Sequence, residues 1–256
     1  MGCAEKPLVS VIMPAYNAAR YIRESVQSVQ NQTFDNWELI VIDDCSEDNT
    51  VAVVTQLAQD DSRICVYSNE HNSGVAKTRN RGLELCNGEY VAFLDSDDTW
   101  YPEKIEIQLK CFRETGADLI CTSYAIVDAQ GRKQCEDFLV PECISFHHLL
   151  KENVIGCSTV MFRRAAGNDV CFEEDFYHED YVLWLRLLKR GYKAIGIKKV
   201  LVNYFFHSDS KAGNKRKAAQ NRWRVYRNYL GLSLVKSAWY FTHYALAGLR
   251  KYKKVS

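Results

Sequence analysis

Tyr90-Val-Ala-Phe-Leu94-Asp95-Ser-Asp97-Asp98 is an apolar run that ends abruptly in three carboxylates. The run has the length and composition of a buried strand. Its acidic end then sits where the strand leaves the sheet, at the carboxyl edge where open α/β sheets bind their ligands. Carboxylates this close repel one another unless a positive group joins them. A hard divalent cation, held by one or two carboxylates and completed by substrate phosphates, does so. The alternative is a solvated acidic turn that caps the following helix.

Outward from this stretch, short apolar runs alternate with helical patterns. Val9–Met13, Leu39–Ile42, Ile64–Tyr67 and Leu119–Ser123 read as further strands. Helices are predicted around Ile22, Val26 and Val29, around Val51, Val54 and Ala58, over Val75–Cys86, and over Glu103–Glu114 behind Pro102. Strands alternating with helices imply βαβ units and a mainly parallel sheet. The first strand ends in Pro14-Ala15-Tyr16-Asn17 and the second in Asp43-Asp44-Cys45-Ser46. Each alone reads as a helix cap, but three such strand ends deliver polar groups to one edge of one sheet. No G-x-G-x-x-G and no P-loop is present.

Asn72-Ser73-Gly74 opens a helix that carries Lys77, Arg79 and Arg81. A helix amino end with cations suits a diphosphate; a solvated basic face is the plain alternative. Beyond a turn at Gly131, strands are predicted at Thr159–Arg163 and Val200–Phe206. A helix over Asp180–Arg190 is stopped by Gly191. His178-Glu179-Asp180 opens that helix, and its apolar body (Tyr181, Leu183, Trp184) marks it as buried. Its acids either serve the helix dipole or place a general base on a rigid support.

The 256 residues have ordinary globular composition, with 47% hydrophobic and 25% charged residues. No signal-peptide pattern stands at the start. None of the ten cysteines forms a C-x-x-C pair, so reduced thiols and a cytoplasmic location are expected rather than structural zinc. The net charge of +1 conceals an asymmetry: residues 211–256 hold twelve Lys and Arg and no acid. Residues 1–210 hold the remaining 21 basic groups against all 32 acidic ones, a net of −11. Such a basic end points to an anionic surface.

In this order, the pieces resemble family-two glycosyltransferases of the GT-A fold. The resemblance spans about residues 7–210 and rests on Pro14-Ala-Tyr16-Asn17, Asp43-Asp44-Cys-Ser46, Asn72-Ser-Gly74 with Arg79-Asn80-Arg-Gly82, Asp95-Ser-Asp97-Asp98, Gly156-Cys-Ser158, Glu179-Asp180 with Leu183-Trp184-Leu-Arg186, and Tyr204-Phe-Phe-His207-Ser208. Two positions depart from the family pattern: Cys45 stands where Gly is usual, and Phe205 where many members place Arg.

The resemblance implies a mainly parallel sheet flanked by helices, with residues 1–120 as a nucleotide-sugar half and 121–210 as an acceptor half; residues 211–256, beyond it, read as a helical tail. Pro14, Tyr16 and Asp44 would line the base and ribose of the donor, and Asp95 would approach the ribose. Asn17, Lys77, Arg79 and Ser96 complete the expected donor side. Gly156, Ser158, Glu179 and Trp184 make up the acceptor side. Asp97, with His207, would hold Mn²⁺ or Mg²⁺, and Asp180 would deprotonate the acceptor hydroxyl. Displacement of a nucleoside diphosphate builds charge on the leaving oxygens, which a divalent ion neutralises. The sugar hydroxyl needs a base within hydrogen-bond reach. In-line attack inverts the anomeric centre.

Two other readings stay open. Asp95-Ser-Asp97-Asp98-Thr99 also fits the D-x-D-x-T motif of haloacid-dehalogenase-like phosphatases. A non-catalytic sugar-binding scaffold at a membrane is the other. In the tail, Leu232, Val235, Trp239, Thr242, Leu246 and Leu249 form a helical stripe among cations. This fits an interfacial helix on an anionic membrane better than a span. The alternative is docking on the body or on a second copy, as in a homodimer. No nucleic-acid motif accompanies the charge. The expected acceptor is a glycan on a polyprenyl diphosphate at the inner face of the cell membrane.

Overall fold

The computed structural model describes residues 7–128, 130–164, 170–205 and 215–253. The alternating segments form strands β1 (Val9–Ala15), β2 (Trp37–Asp43), β3 (Ile64–Ser68) and β4 (Tyr90–Phe93). Helices α1 (Ile22–Gln30), α2 (Thr50–Asp60) and α3 (Val75–Leu85) connect them. After β4 come β5 (Thr99–Trp100), α4 (Lys104–Thr115), β6 (Leu119–Val127), β7 (Cys143–Ile144) and α5 (Phe146–Lys151). A 3₁₀ turn at Cys157–Thr159 leads to β8 (Met161–Arg163), α6 (Glu179–Lys189) and β9 (Ala194–Phe205). The chain continues through α7 (Lys215–Arg224), a π-helical turn at Val225–Tyr229 and α8 (Leu234–Lys253).

The strands lie in one sheet in the order β3-β2-β1-β4-β8-β6-β9-β5, with β7 paired to β9. β1 through β4 are parallel to one another. Beyond β4 the sheet is mixed: β8 runs antiparallel to both β4 and β6, while β6 and β9 are parallel. The order reverses at β1, between β2 and β4, so a crevice opens at the carboxyl ends of these strands.

Strand alternation divides the core between the two faces. Val9, Val11, Met13, Leu39, Val41 and Ala92 pack with α1 and α4 on one face. Ile12, Ile40, Ile42, Val91 and Phe93 pack with α6 on the other. α3 lies against β1 at Gly82, where a Cβ would stand 2.4 Å from Ile12. Val225, Tyr226 and Tyr240 of the basic tail belong to the α6-side core. Tyr226 bonds the Leu150 carbonyl at 2.5 Å, and Tyr240 meets the His147 ring at 2.7 Å. Arg222 lies 3.5 Å over the Tyr181 ring. The tail is docked on α5 and α6 through this face.

The β1–α1 and β2–α2 loops brace one another. Ser46 accepts from Asn17 N–H and Asn17 Oδ1 accepts from Glu47 N–H, both at 2.9 Å. Asn17 and Cys45 both take left-handed backbone conformations, with Cys45 at φ 64°. This is the position where the family usually carries Gly, and a side chain in that region costs about 1–2 kcal/mol. Gly gives back about 0.4–1 kcal/mol through its freer unfolded chain. Cys45→Gly is therefore expected to leave stability unchanged or raise it by up to about 1 kcal/mol, about 2–4 °C in Tm. A thermal-melt loss larger than that would show that the thiol holds the loop.

Candidate active site

A cavity of about 730 Å³ occupies the crevice. Pro14 and Tyr16 reach it from β1, Asp44 from β2, and Asp95, Ser96 and Asp97 from β4. Gly156 and Tyr204 line it from the mixed half of the sheet, and Glu179 and Asp180 from the start of α6. The three strand ends and the α6 acids thus converge on one space.

Asp44 is tied to the start of α3. It accepts from Ser73 N–H (2.9 Å), Gly74 N–H (2.8 Å) and the Asn69 amide (2.7 Å). Burial opposes its charge, but these bonds outweigh it and hold its pKa below the ordinary value. Gly74 has φ 84°, and that turn aims its N–H at Asp44.

Arg79 is the hinge of the site. Its side chain is only 4% exposed, and its guanidinium spans Asp95 Oδ1 (2.5 Å) and Glu179 Oε1 (2.6 Å). One cation from α3 thereby fixes the β4 loop to the amino end of α6.

The three aspartates after β4 differ. Asp98 is buried. It accepts from Ser158 Oγ (2.6 Å) and Phe205 N–H (3.3 Å), while Ser158 Oγ accepts from Asp95 N–H (3.1 Å). Burial, then Asp97 and Asp95, push its pKa well up. Asp97 faces the cavity; burial and then Asp95 raise it to about 6. Among the described residues no three His, Cys, Asp or Glu side chains form a self-sufficient metal cage. The crowding of Asp95 and Asp97 still fits a divalent ion: a hard cation needs few protein ligands when substrate phosphates supply the rest, and it would relieve the repulsion that lifts Asp97.

Asp180 keeps partial solvent contact through the cavity although protein surrounds it. Burial, then Glu179, raise its pKa to about 7, opposed by Arg79 and the Tyr181 N–H. The neighbouring acids separate in role, since Glu179 is committed to Arg79.

Four expected residues do not line the cavity. Asn17 braces the loops. Lys77 pairs with Glu174 at 3.3 Å, away from Arg79. Ser158 is buried as a latch behind Asp95 and Asp98. Trp184 is buried in the core, on the inner face of α6. His207 lies outside the described residues. Sequence reasoning missed Tyr177, Asn153, Ile155 and Tyr124, which also line the cavity. Tyr177 adjoins the His178-Glu179 motif, whereas nothing local marks the other three.

A parallel half-sheet continued by a mixed half, with carboxylates at the strand ends and at a facing helix, is the frame of a GT-A nucleotide-sugar transferase. The chain belongs to glycosyl transferase family 2, whose family model matches residues 10–223. It is 40% identical over 246 residues to the putative teichuronic acid biosynthesis glycosyltransferase TuaG of Bacillus subtilis, covering 96% of this chain and 98% of that one. It is 36% identical over 247 residues to WfgD of Escherichia coli, named a UDP-Glc:alpha-D-GlcNAc-diphosphoundecaprenol beta-1,3-glucosyltransferase, covering 96% and 95%. Among solved structures, S. aureus TarS 1-349 with UDP-GlcNAc superposes with a TM-score of 0.73 at 22% identity, covering 93% of this chain and 71% of that one. The mannosyltransferase PcManGT from Pyrobaculum calidifontis, with GDP-Man and Mn²⁺, gives 0.70 at 17%, covering 94% and 74%. The fold is GT-A and the protein is a glycosyltransferase. The dehalogenase-like and non-catalytic readings fall with this membership; the acidic motif also follows the fourth strand rather than the first.

Proposed function

We propose that the protein transfers a hexose or N-acetylhexosamine from a UDP-sugar, with inversion, to a hydroxyl of a glycan carried on a polyprenyl diphosphate, in cell-surface polysaccharide synthesis. The carrying observation is the single cavity that joins Asp44, Asp95, Asp97 and Asp180. The glucosyltransferase named for WfgD and the UDP-GlcNAc complex of TarS support the donor and acceptor classes.

In this reading residues 1–120 form the donor half and 121–210 the acceptor half. Pro14, Tyr16 and Asp44 receive the nucleotide, and Asp95 the ribose. Asp97 would hold Mn²⁺ or Mg²⁺, which when bound neutralises charge on the leaving diphosphate. Asp180 takes the proton from the acceptor hydroxyl as it attacks the anomeric carbon from the face opposite the leaving group. Arg79 orients Asp95 and Glu179 around the reacting sugar. A screen of UDP-glucose, UDP-galactose, their N-acetyl forms and GDP-mannose, with a sugar-diphosphoryl-alkyl acceptor and mass spectrometry as readout, tests this. Transfer from a UDP-sugar is expected; no transfer from any donor defeats the reading. Asp97→Ala is expected to abolish the metal dependence of donor binding, measured by calorimetry with and without Mn²⁺; retained dependence removes Asp97 as ligand.

The tail supports a peripheral site of action on the inner membrane face. No helix among the described residues is long and apolar enough to cross a membrane. On α8, three residues of the stripe anticipated from sequence face outward, with Val235 79%, Trp239 49% and Leu246 48% exposed, while Leu232, which precedes the helix, packs against the core. Residues 215–253 contain no acid to repel anionic lipid. Because the other face of α8 is docked in the core, point changes are the cleaner test than truncation. Val235→Ser/Trp239→Ser/Leu246→Ser is expected to weaken sedimentation with phosphatidylglycerol vesicles at least about tenfold, by loss of buried apolar area. Unchanged binding would place the membrane contact elsewhere.

A further inference from the structure

Lys104, the first residue of α4, is wholly buried, and no carboxylate among the described residues pairs with it. A lysine is almost never buried unless it is paired. Burial pushes its pKa well below the ordinary lysine range. A methionine would fill the same space without the desolvation cost, so the amine calls for a task. Its contacts supply one. Nζ donates to Gln108 Oε1 at 2.8 Å and lies 3.8 Å from the centre of the Trp100 ring.

Both partners reach the same turn. Gln108 Nε2 donates to Thr159 O and to Ile120 O, each at 3.0 Å. Trp100 Nε1 donates to Ser158 O at 2.8 Å. Two consecutive carbonyls of the 3₁₀ turn at Cys157–Thr159 are thus held by the pair. Ser158 passes the hold on. Its Oγ accepts the Asp95 N–H at 3.1 Å and donates to Asp98 at 2.6 Å, and its own N–H donates to Tyr204 Oη at 3.2 Å. The cavity wall at Gly156 and Cys157 and the loop that carries Asp95 and Asp97 share this support. Gln108 is wholly buried. Without Nζ its Oε1 would be a buried acceptor with no partner, a cost that drives the amide to turn and release Thr159.

We infer that Lys104 is a positioning residue for the donor site: through Gln108 and Trp100 it fixes the Cys157–Thr159 turn, and through Ser158 it fixes the loop on which Asp95 and Asp97 meet the nucleoside diphosphate and its cation. The inference rests on the donor reading above for what the loop binds, and on the hydrogen bonds alone for what the amine does to the loop. Lys104 touches no substrate. It sets the place of the loop rather than its charge, so its loss is read in donor affinity and in loop opening.

The test uses the full chain, titrated with UDP by calorimetry with and without Mn²⁺, and followed by amide hydrogen exchange without ligand. Lys104→Met is expected to weaken UDP binding in the presence of Mn²⁺ at least about tenfold, as loss of a support behind a metal ligand does. Exchange over residues 94–99 should quicken at least about tenfold while β2 and β3 keep their protection. Trp100→Phe keeps a ring beside Nζ and loses the bond to Ser158, and it should move both readouts the same way. Either variant should lose some Tm, so Val29→Ala, a cavity in the last turn of α1, is the control: its Tm falls while UDP affinity and loop exchange stay. Wild-type exchange over 94–99 in Lys104→Met, or a UDP affinity that falls no further than in Val29→Ala, overturns the inference. A wild type that binds UDP equally with and without Mn²⁺ would defeat the metal reading instead, and the exchange result alone then upholds or overturns the role of Lys104.

Discussion

Asp180→Asn is expected to lower turnover by about 10²–10⁴-fold, the range for loss of a positioned general base, with UDP-sugar affinity unchanged. The geometry singles out this acid over its neighbour. Glu179 spends its carboxylate on Arg79 at 2.6 Å, so taking a proton would cost it a buried ion pair. Asp180 faces the cavity with its basicity raised, first by burial and then by Glu179, to about 7. A base near the working pH combines availability with proton affinity. The sign of the pH dependence follows: the active form is the carboxylate, so kcat/KM should fall as pH drops through about 7 and level off above it. Glu179→Gln removes the repulsion and also leaves more of Arg79's charge to act on Asp180. Both changes lower the Asp180 pKa, so the acid limb should move to lower pH. Turnover that survives in Asp180→Asn, or an acid limb unmoved in Glu179→Gln, would assign the base elsewhere.

What was legible in the sequence had a local cause. β1, β2 and β4 are apolar runs, each closed by a polar turn, and the helices between them show a 3.6-residue period, so their order followed directly. β5 and β7 are strands of two residues, too short for any period to register. β8 lies inside the strand expected over Thr159–Arg163, but its antiparallel direction, which turns the sheet mixed beyond β4, is a tertiary fact. Lys77 and Arg79 are both expected on the donor side from sequence, yet residues two apart on a helix do not share a face. Arg79 turns inward to the acids, and Lys77 outward to Glu174. Ser158 and Trp184 sit in motifs that carry the resemblance, but a latch to Asp98 sixty residues away, or a place in the core, is a tertiary fact. The tail's stripe was legible as helical; that it is the solvent face follows from Tyr240 and Ser237 filling the buried one.

Arg79→Met should be among the most destabilising single changes in the protein, at about 3–5 kcal/mol. Its guanidinium is buried and paired at both ends, so removing it leaves the buried Glu179 and the partly exposed Asp95 facing each other without a counter-charge. Two carboxylates in that position repel one another. A double-mutant cycle with Glu179→Gln separates this from simple loss of packing, since Met keeps much of the contact with Phe172, 5.3 Å from the guanidinium. In the wild-type background Glu179→Gln breaks half of the clasp and should destabilise. In the Arg79→Met background it removes an uncompensated charge and should cost less or help, giving a coupling of about 1–3 kcal/mol. Additive effects in urea melts would mean that the clasp contributes nothing beyond its separate parts. A coupled result has a catalytic corollary, because the same guanidinium links the β4 loop to the helix that carries Asp180. Any residual activity of Arg79→Met should show a raised donor KM together with a reduced kcat, whereas Asp180→Asn reduces kcat alone.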